Sequence, residues 1–175
     1  MINVIVPMAG EGQRFKQANY NMPKPLIEVN GKPMIFRALE SLGIHGNYYF
    51  VIRDDVFTVE NISVIESIKP NSSFKFVKDT TSGAAASALL FKNMIDGEEE
   101  LFIVNCDQIM NWDFDVVIQQ LRQYDAAVVT IQSTDPKHSY VKVVNGIVSA
   151  FEEKNVISDM ALTGIHYWKK AKYFF

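Results

Sequence analysis

Residues 3–15 read NVIVPMAGEGQRF, an apolar run closed by Pro7 and followed by a loop that holds Gly10 and Gly12. An unbroken apolar run bounded by turn residues is the mark of a strand buried on both faces. Outward from this stretch, further short runs at 48–52, 74–77 and 101–104 alternate with segments of helical period. Pro33 opens a helix that carries Met34, Ile35, Ala38, Leu39 and Leu42 at helical spacing, and Gly43 stops it. Residues 56–68, the alanine-rich 84–94 and 114–124 also have helical composition, the last preceding the apolar run 126–131. Strands alternating with crossover helices predict an α/β fold around a largely parallel sheet. Past residue 140 the texture changes. Asn145-Gly146 between 140–144 and 147–151 predicts a hairpin, since both residues accept the positive φ of a type I′ turn, and 162–168 supplies one more strand.

No repeat, low-complexity segment or linker divides the 175 residues, which are read as a single domain, 1–175. A chain of this length buries roughly 70% of the surface its unfolded form exposes, so it needs no disulfide or structural metal. The lone Cys106 could supply neither. A net charge of −3, with no run of Lys and Arg, argues against a nucleic-acid partner. The apolar residues 2–8 fall far short of the roughly 20 needed to span a membrane. The protein is read as cytoplasmic. Its aromatic end, Tyr173-Phe174-Phe175, predicts that a continuation is missing.

The loop Ala9-Gly10-Glu11-Gly12-Gln13-Arg14 can turn backbone N–H groups toward phosphate oxygens, or its glycines can simply make a tight turn. Arg14 in the loop and Lys24 between Pro23 and Pro25 add two cations and favour a polyphosphate. Phe15 stands where a dinucleotide site requires a third glycine, and no lysine follows Gly12 as a Walker loop requires. Asp107 follows the strand 101–104, where open α/β sheets bind ligands. It is a candidate ligand for a hard cation such as Mg²⁺, and equally a turn or capping aspartate. Thr80-Thr81-Ser82-Gly83 is a helix-capping sequence that also offers hydroxyls and N–H groups to a ligand. Glu152-Glu153-Lys154 is a charged strand end or part of a site. His45, His138 and His166 lack metal-ligand spacing, and Cys106 has no histidine near it in sequence to activate it, so it reads as a small apolar filler.

The ordered set GxGxRF, PKPLIEVNGKPMI, TSGAAASAL, NCDQI, EEK and ALTGIHY resembles the sugar-phosphate nucleotidyltransferases, including glucose-1-phosphate thymidylyltransferases and small cytidylyl- and uridylyltransferases. The resemblance runs from Val4 to about Trp168. It implies a Rossmann-like fold of the nucleotide-diphospho-sugar transferase type, with a mixed, mostly parallel sheet. It also implies transfer of a nucleoside monophosphate from an NTP to a small phosphorylated substrate, with release of pyrophosphate. By the same resemblance Ala9, Gly10, Gly12, Arg14 and Lys24 bind nucleotide phosphates, Arg14 and Lys24 act in catalysis, and Asp107 holds Mg²⁺. Thr81 and Gly83 lie against the base and ribose. Glu153, Lys154, Thr163 and Gly164 bind the acceptor. The partners are then the NTP and a phosphorylated metabolite, with a homo-oligomer as a further expectation because relatives often self-associate.

Three positions depart from that pattern. Lys78 stands where thymidylyltransferases carry a base-reading glutamine, so the nucleobase does not carry over. Tyr140-Val141 replaces a tyrosine-glycine pair and predicts a reshaped sugar-pocket wall. The chain ends before the second metal-binding aspartate, which predicts a domain incomplete at its C terminus. Two other readings remain open: a non-catalytic nucleotide-binding or assembly module, and a metal-dependent glycosyltransferase, against which Asn105 breaks the expected DxD.

Overall fold

The computed structural model describes residues 1–20 and 22–175, Lys16 for its backbone alone. Strand β1 (Ile2–Pro7) leads into the short helix α1 (Gln13–Gln17), followed by a single 3-10 turn, Lys24–Leu26. Next come a two-stranded ribbon, β2 (Glu28–Val29) and β3 (Lys32–Pro33), helix α2 (Met34–Leu42) and strand β4 (Asn47–Arg53). Helix α3 (Val59–Ile68), strand β5 (Ser73–Val77), helix α4 (Ala84–Leu89) and strand β6 (Glu100–Val104) complete the parallel part. Helix α5 (Phe114–Leu121) then leads to β7 (Ala126–Gln132), β8 (Ser139–Val144), β9 (Ile147–Glu153) and β10 (Met160–Trp168).

Eight strands join in one sheet of order β5-β4-β1-β6-β10-β8-β9, with β7 also pairing β10. The pairs β5-β4, β4-β1 and β1-β6 are parallel, and every pair made by β10 and β9 is antiparallel. One edge of β10 is shared. Its Ile165 to Trp168 pair with β6, Ala161 meets Tyr140 of β8, and β7 takes the other edge.

Alternate residues of the parallel strands enter two apolar layers, as a pleat requires. Val4, Phe50 and Phe102 pack with Leu39 of α2, Ile65 of α3 and Ile118 of α5. Ile5, Val51 and Leu101 pack with Ala88 of α4, Phe91 and Ala171, and the aromatic end, Phe174 and Phe175, lies against this second layer. Burial on both faces is why these strands read as continuous apolar runs. None of the helices among the described residues is long and apolar enough to cross a membrane.

Local chemistry sets the element ends. Gly43 closes α2 at φ 64°, and the expected hairpin is present, with Asn145 at φ 51° and Gly146 at φ 80°. The same Asn-Gly signal at Asn30 (φ 51°) and Gly31 (φ 75°) turns the β2-β3 ribbon, which the periodicity reading passed over. Helix α3 starts three residues later than the 56–68 expected, because Thr58 is extended and caps it, accepting from the Asn61 N–H at 3.3 Å. Helix α4 stops at Leu89. Beyond it, Phe91, Lys92 and Met94 donate to the carbonyls of Ala88, Leu89 and Phe91, so the chain continues as tighter i→i+3 turns up to Met94. The expected side-chain cap on α4 is absent: its N-cap is Gly83, and the Thr81 hydroxyl instead meets Ser87 Oγ at 2.6 Å.

Candidate active site

In the strand order, the chain leaves β1 for β4 on one side and returns to β6 on the other. The loops beyond the carboxyl ends of β1 and β6 therefore diverge, and such a switch point leaves a crevice suited to a ligand. A cleft of about 1170 Å³ lies there, walled by the β1 loop, the Pro23-Lys24-Pro25 segment and the residues after β6. A smaller cleft of about 210 Å³ adjoins it and shares Pro7, Gly10 and Asn105.

Gly12 sits at φ 61°, a left-handed backbone that L side chains adopt at a cost, and its Cα faces the Lys24 stem, with Lys24 Cβ 3.6 Å from where a Cβ would stand. At Gly10 a Cβ would meet nothing within 4 Å, so that glycine leaves the backbone open to an approaching ligand. Phe15 is part of the support for Lys24. Its ring lies 5.7 Å from the ammonium and meets Tyr20 edge-on at 5.8 Å. Lys24 donates a hydrogen bond to the Asp107 carboxylate across the cleft, joining two sequence motifs 83 residues apart. Both side chains keep about 30% exposure, so a ligand can reach the pair. Cys106, between Asn105 and Asp107, is buried in the first core layer. Burial and the Asp107 charge push its thiol up to about 12, which makes it a packing residue rather than a nucleophile.

Gly10, Gly12, Arg14, Lys24 and Asp107 all line the large cleft, and Ala9, Gly10, Thr81 and Gly83 line the small one. The four acceptor candidates are not gathered with them. Glu153 and Lys154 form an exposed 3.2 Å ion pair at the end of β9. Thr163 is buried and its hydroxyl donates to the Val129 carbonyl at 3.0 Å, serving the β7-β10 pairing. Gly164 lies at φ 79° in the irregular stretch of β10, directly behind Asn105. A Cβ there would fall 2.1 Å from Asn105 Nδ2. Tyr140 and Val141 line neither cleft: both are fully buried, and the Tyr140 hydroxyl donates to the Asp135 carbonyl at 2.7 Å.

Ser87 and Asp55, which no motif singles out, also line the clefts, as does Asn105, which the sequence marks only as the break in a DxD. Ser87 is the one polar residue in AAASAL, and Asn105 and Asp55 follow the carboxyl ends of β6 and β4. The strand-end rule that picked out Asp107 points to both. Among the described residues no three His, Cys, Asp or Glu side chains gather as a metal site. Asp107 offers hard oxygen donors of the kind Mg²⁺ takes one or two at a time beside substrate phosphates, and Glu11 and Asp55 line the same cleft, so the residues present fit that ion.

The chain is similar to the bifunctional protein GlmU of Methanococcus aeolicus, 25% identical over 173 residues that cover 94% of this chain and 39% of the relative. It is also similar to the mannose-1-phosphate guanylyltransferase catalytic subunit beta of Danio rerio, 22% identical, covering 83% of this chain and 42% of the relative. It thus spans well under half the length of these curated relatives. Its fold matches the crystal structure of a nucleoside-diphosphate-sugar pyrophosphorylase from Vibrio cholerae RC9, with a TM-score of 0.81 and 22% identity over 98% of this chain and 75% of that one. The Nucleotidyl transferase family profile matches residues 3–174. That match takes in every element that walls the two clefts, and the chain belongs to this family.

Proposed function

We propose that residues 1–175 belong to one nucleotidyltransferase catalytic domain, incomplete at its C terminus, which transfers a nucleoside monophosphate from an NTP to a sugar phosphate or similar small phosphorylated metabolite. The observation that carries this reading is the meeting of Lys24 and Asp107 across a cleft floored by the glycine loop. A phosphate oxygen of the acceptor attacks the α-phosphorus of the NTP. The bond to the bridging oxygen breaks, and its electron pair leaves with pyrophosphate. The nucleophile belongs to the substrate, so the protein needs no serine, cysteine or strong base of its own. Positioning and charge neutralisation supply the acceleration.

Gly10 and Gly12 bring backbone N–H groups to the phosphates, Arg14 neutralises them, and Lys24 stabilises charge developing at the α-phosphate. Asp107 would hold Mg²⁺ together with phosphate oxygens. That ion, when bound, offsets the repulsion between two anionic reactants. Thr81 and Gly83 in the small cleft would contact the base and ribose, and Glu153, Lys154, Thr163 and Gly164 would serve the acceptor side. Its similarity to a mannose-1-phosphate guanylyltransferase and to a nucleoside-diphosphate-sugar pyrophosphorylase supports a sugar-phosphate acceptor. Substrates of this kind place the protein in the cytoplasm.

The exposure of Glu153 and Lys154, outside both clefts, favours one second reading, an NTP-binding module without transfer. The separating experiment is pyrophosphate release with Mg²⁺, screening CTP, UTP, dTTP, GTP and ATP against a panel of sugar phosphates. Acceptor-dependent release is expected. NTP binding without release would favour the module.

A further inference from the structure

β4 ends on Arg53, a cation that the family resemblance does not use. Its Nε and Nη2 donate to the two carboxylate oxygens of Asp55 at 2.8 and 2.5 Å, and its Nη1 reaches the Thr80 hydroxyl at 3.4 Å. Asp55 lines the large cleft and Thr80 the small one, so the guanidinium of Arg53, whose side chain is 14% exposed, touches the walls of both. A flat fork can hold a carboxylate at two points and still reach a third group, which a lysine ammonium cannot do with the same geometry.

The charges around it matter as much. Arg53 interacts electrostatically with Glu11 of the glycine loop and Asp79 beside Thr80, as well as with Asp55. Glu11, Asp55 and Asp107 line a cleft proposed for a polyanion, and Arg14 and Lys24 line it as well. Lys24 is engaged by Asp107. A bare acidic rim would repel a triphosphate, and a fixed cation beside Asp55 and near Glu11 offsets part of that field.

We propose that Arg53 is a positioning residue for the nucleotide: through Asp55 and Thr80 it fixes the spacing of the two clefts, and its charge offsets the acidic rim that the triphosphate must cross. This inference rests on the nucleotidyltransferase reading of the site.

The test is calorimetric binding of the Mg²⁺ complex of each of the five NTPs to wild type, Arg53→Met, Arg53→Lys and the double variant Arg53→Met/Asp55→Asn, with melting curves and both substrates' KM values. Arg53→Met is expected to weaken NTP binding roughly tenfold or more while the acceptor KM stays within about twofold. Removing the Asp55 charge in that background should recover part of the loss. Arg53→Lys, which keeps the charge and loses the fork, should fall between wild type and Arg53→Met, and it serves as the test if the methionine variant does not fold. Arg53 variants that bind NTP as wild type does would overturn the inference alone, and so would equal losses for both substrates accompanied by a fall in melting temperature. Failure of the double variant to recover affinity would overturn the charge role. A wild type that binds no NTP would overturn the functional reading as well.

Discussion

The parallel strands β5, β4, β1 and β6 and the antiparallel strands β10, β7, β8 and β9 belong to one sheet, yet they hold chemistry differently. Parallel strands all present their carboxyl ends on one side, so the loops after β1, β4 and β6 bring Gly12, Asp55 and Asp107 to a single cleft. Antiparallel strands alternate direction, and their candidate residues scatter: Glu153 at the end of β9, Thr163 inside β10. The parallel strands β4, β1 and β6 are sealed on both faces, whereas β9 leaves Ile147, Ser149 and Phe151 exposed on one. The two parts touch near the site where Gly164 of β10 backs Asn105 after β6. On the proposed function, nucleotide chemistry falls to the parallel half and acceptor contacts to the antiparallel half.

Kinetics should show that division most strongly. Lys24→Ala and Asp107→Ala are expected to lower turnover by about a hundredfold or more with little change in melting temperature. Lys154→Ala should instead raise the acceptor KM by about tenfold and leave the NTP KM alone. A Lys154 variant that changes the NTP constant would erase the distinction.

Stability probes the seam. Phe102 of β6 is fully buried, with its ring 5.0 Å from Tyr167 of β10 and 5.9 Å from Phe114. Phe102→Ala should cost about 3–5 kcal/mol in urea unfolding, in one transition. Two resolved transitions would mean that the halves unfold separately.

Two glycines offer a finer comparison. Gly164→Ala places a methyl group at φ 79° against Asn105 and should cost about 2–3 kcal/mol, since Asn105 must also move. Gly12→Ala, at φ 61° with its nearest neighbour 3.6 Å away, should cost about 1 kcal/mol and weaken NTP binding. Equal costs would show that Asn105 yields freely.

The smallest effect belongs to Glu98, which accepts from Lys170 at 2.7 Å and from Lys172, tying the chain beyond β10 to the loop before β6. Those two bonds hold its carboxyl down to about 2, from an ordinary 4.5. A depressed folded value stabilises above the unfolded value and is lost as pH falls, so the contribution is complete above about 4.5 and fades toward 2. Glu98→Gln should therefore lower the melting temperature by no more than about 2 °C at neutral pH, with the difference gone near pH 2. A difference that persists there would have another origin.

The sequence alone determined most of the elements and which loops were candidates for the site, because both are local. Buried strands are continuous apolar runs, Gly43 and Asn145-Gly146 carry their own backbone preference, and a loop such as GEGQR sets two glycines and a cation within five consecutive residues. Arg14, Lys24 and Asp107 were legible for that reason. The late start of α3 and the early end of α4 were not, since they depend on a particular hydroxyl and on how Phe91 meets the second apolar layer. Only the tertiary structure decided that Lys24 meets Asp107, that Arg53 spans two clefts, that Thr163 spends its hydroxyl on Val129, and that Tyr140 is core. Each of these joins residues 27 to 83 positions apart or depends on which face of a strand is covered, and both are settled by strand order and packing, which no short stretch of sequence contains.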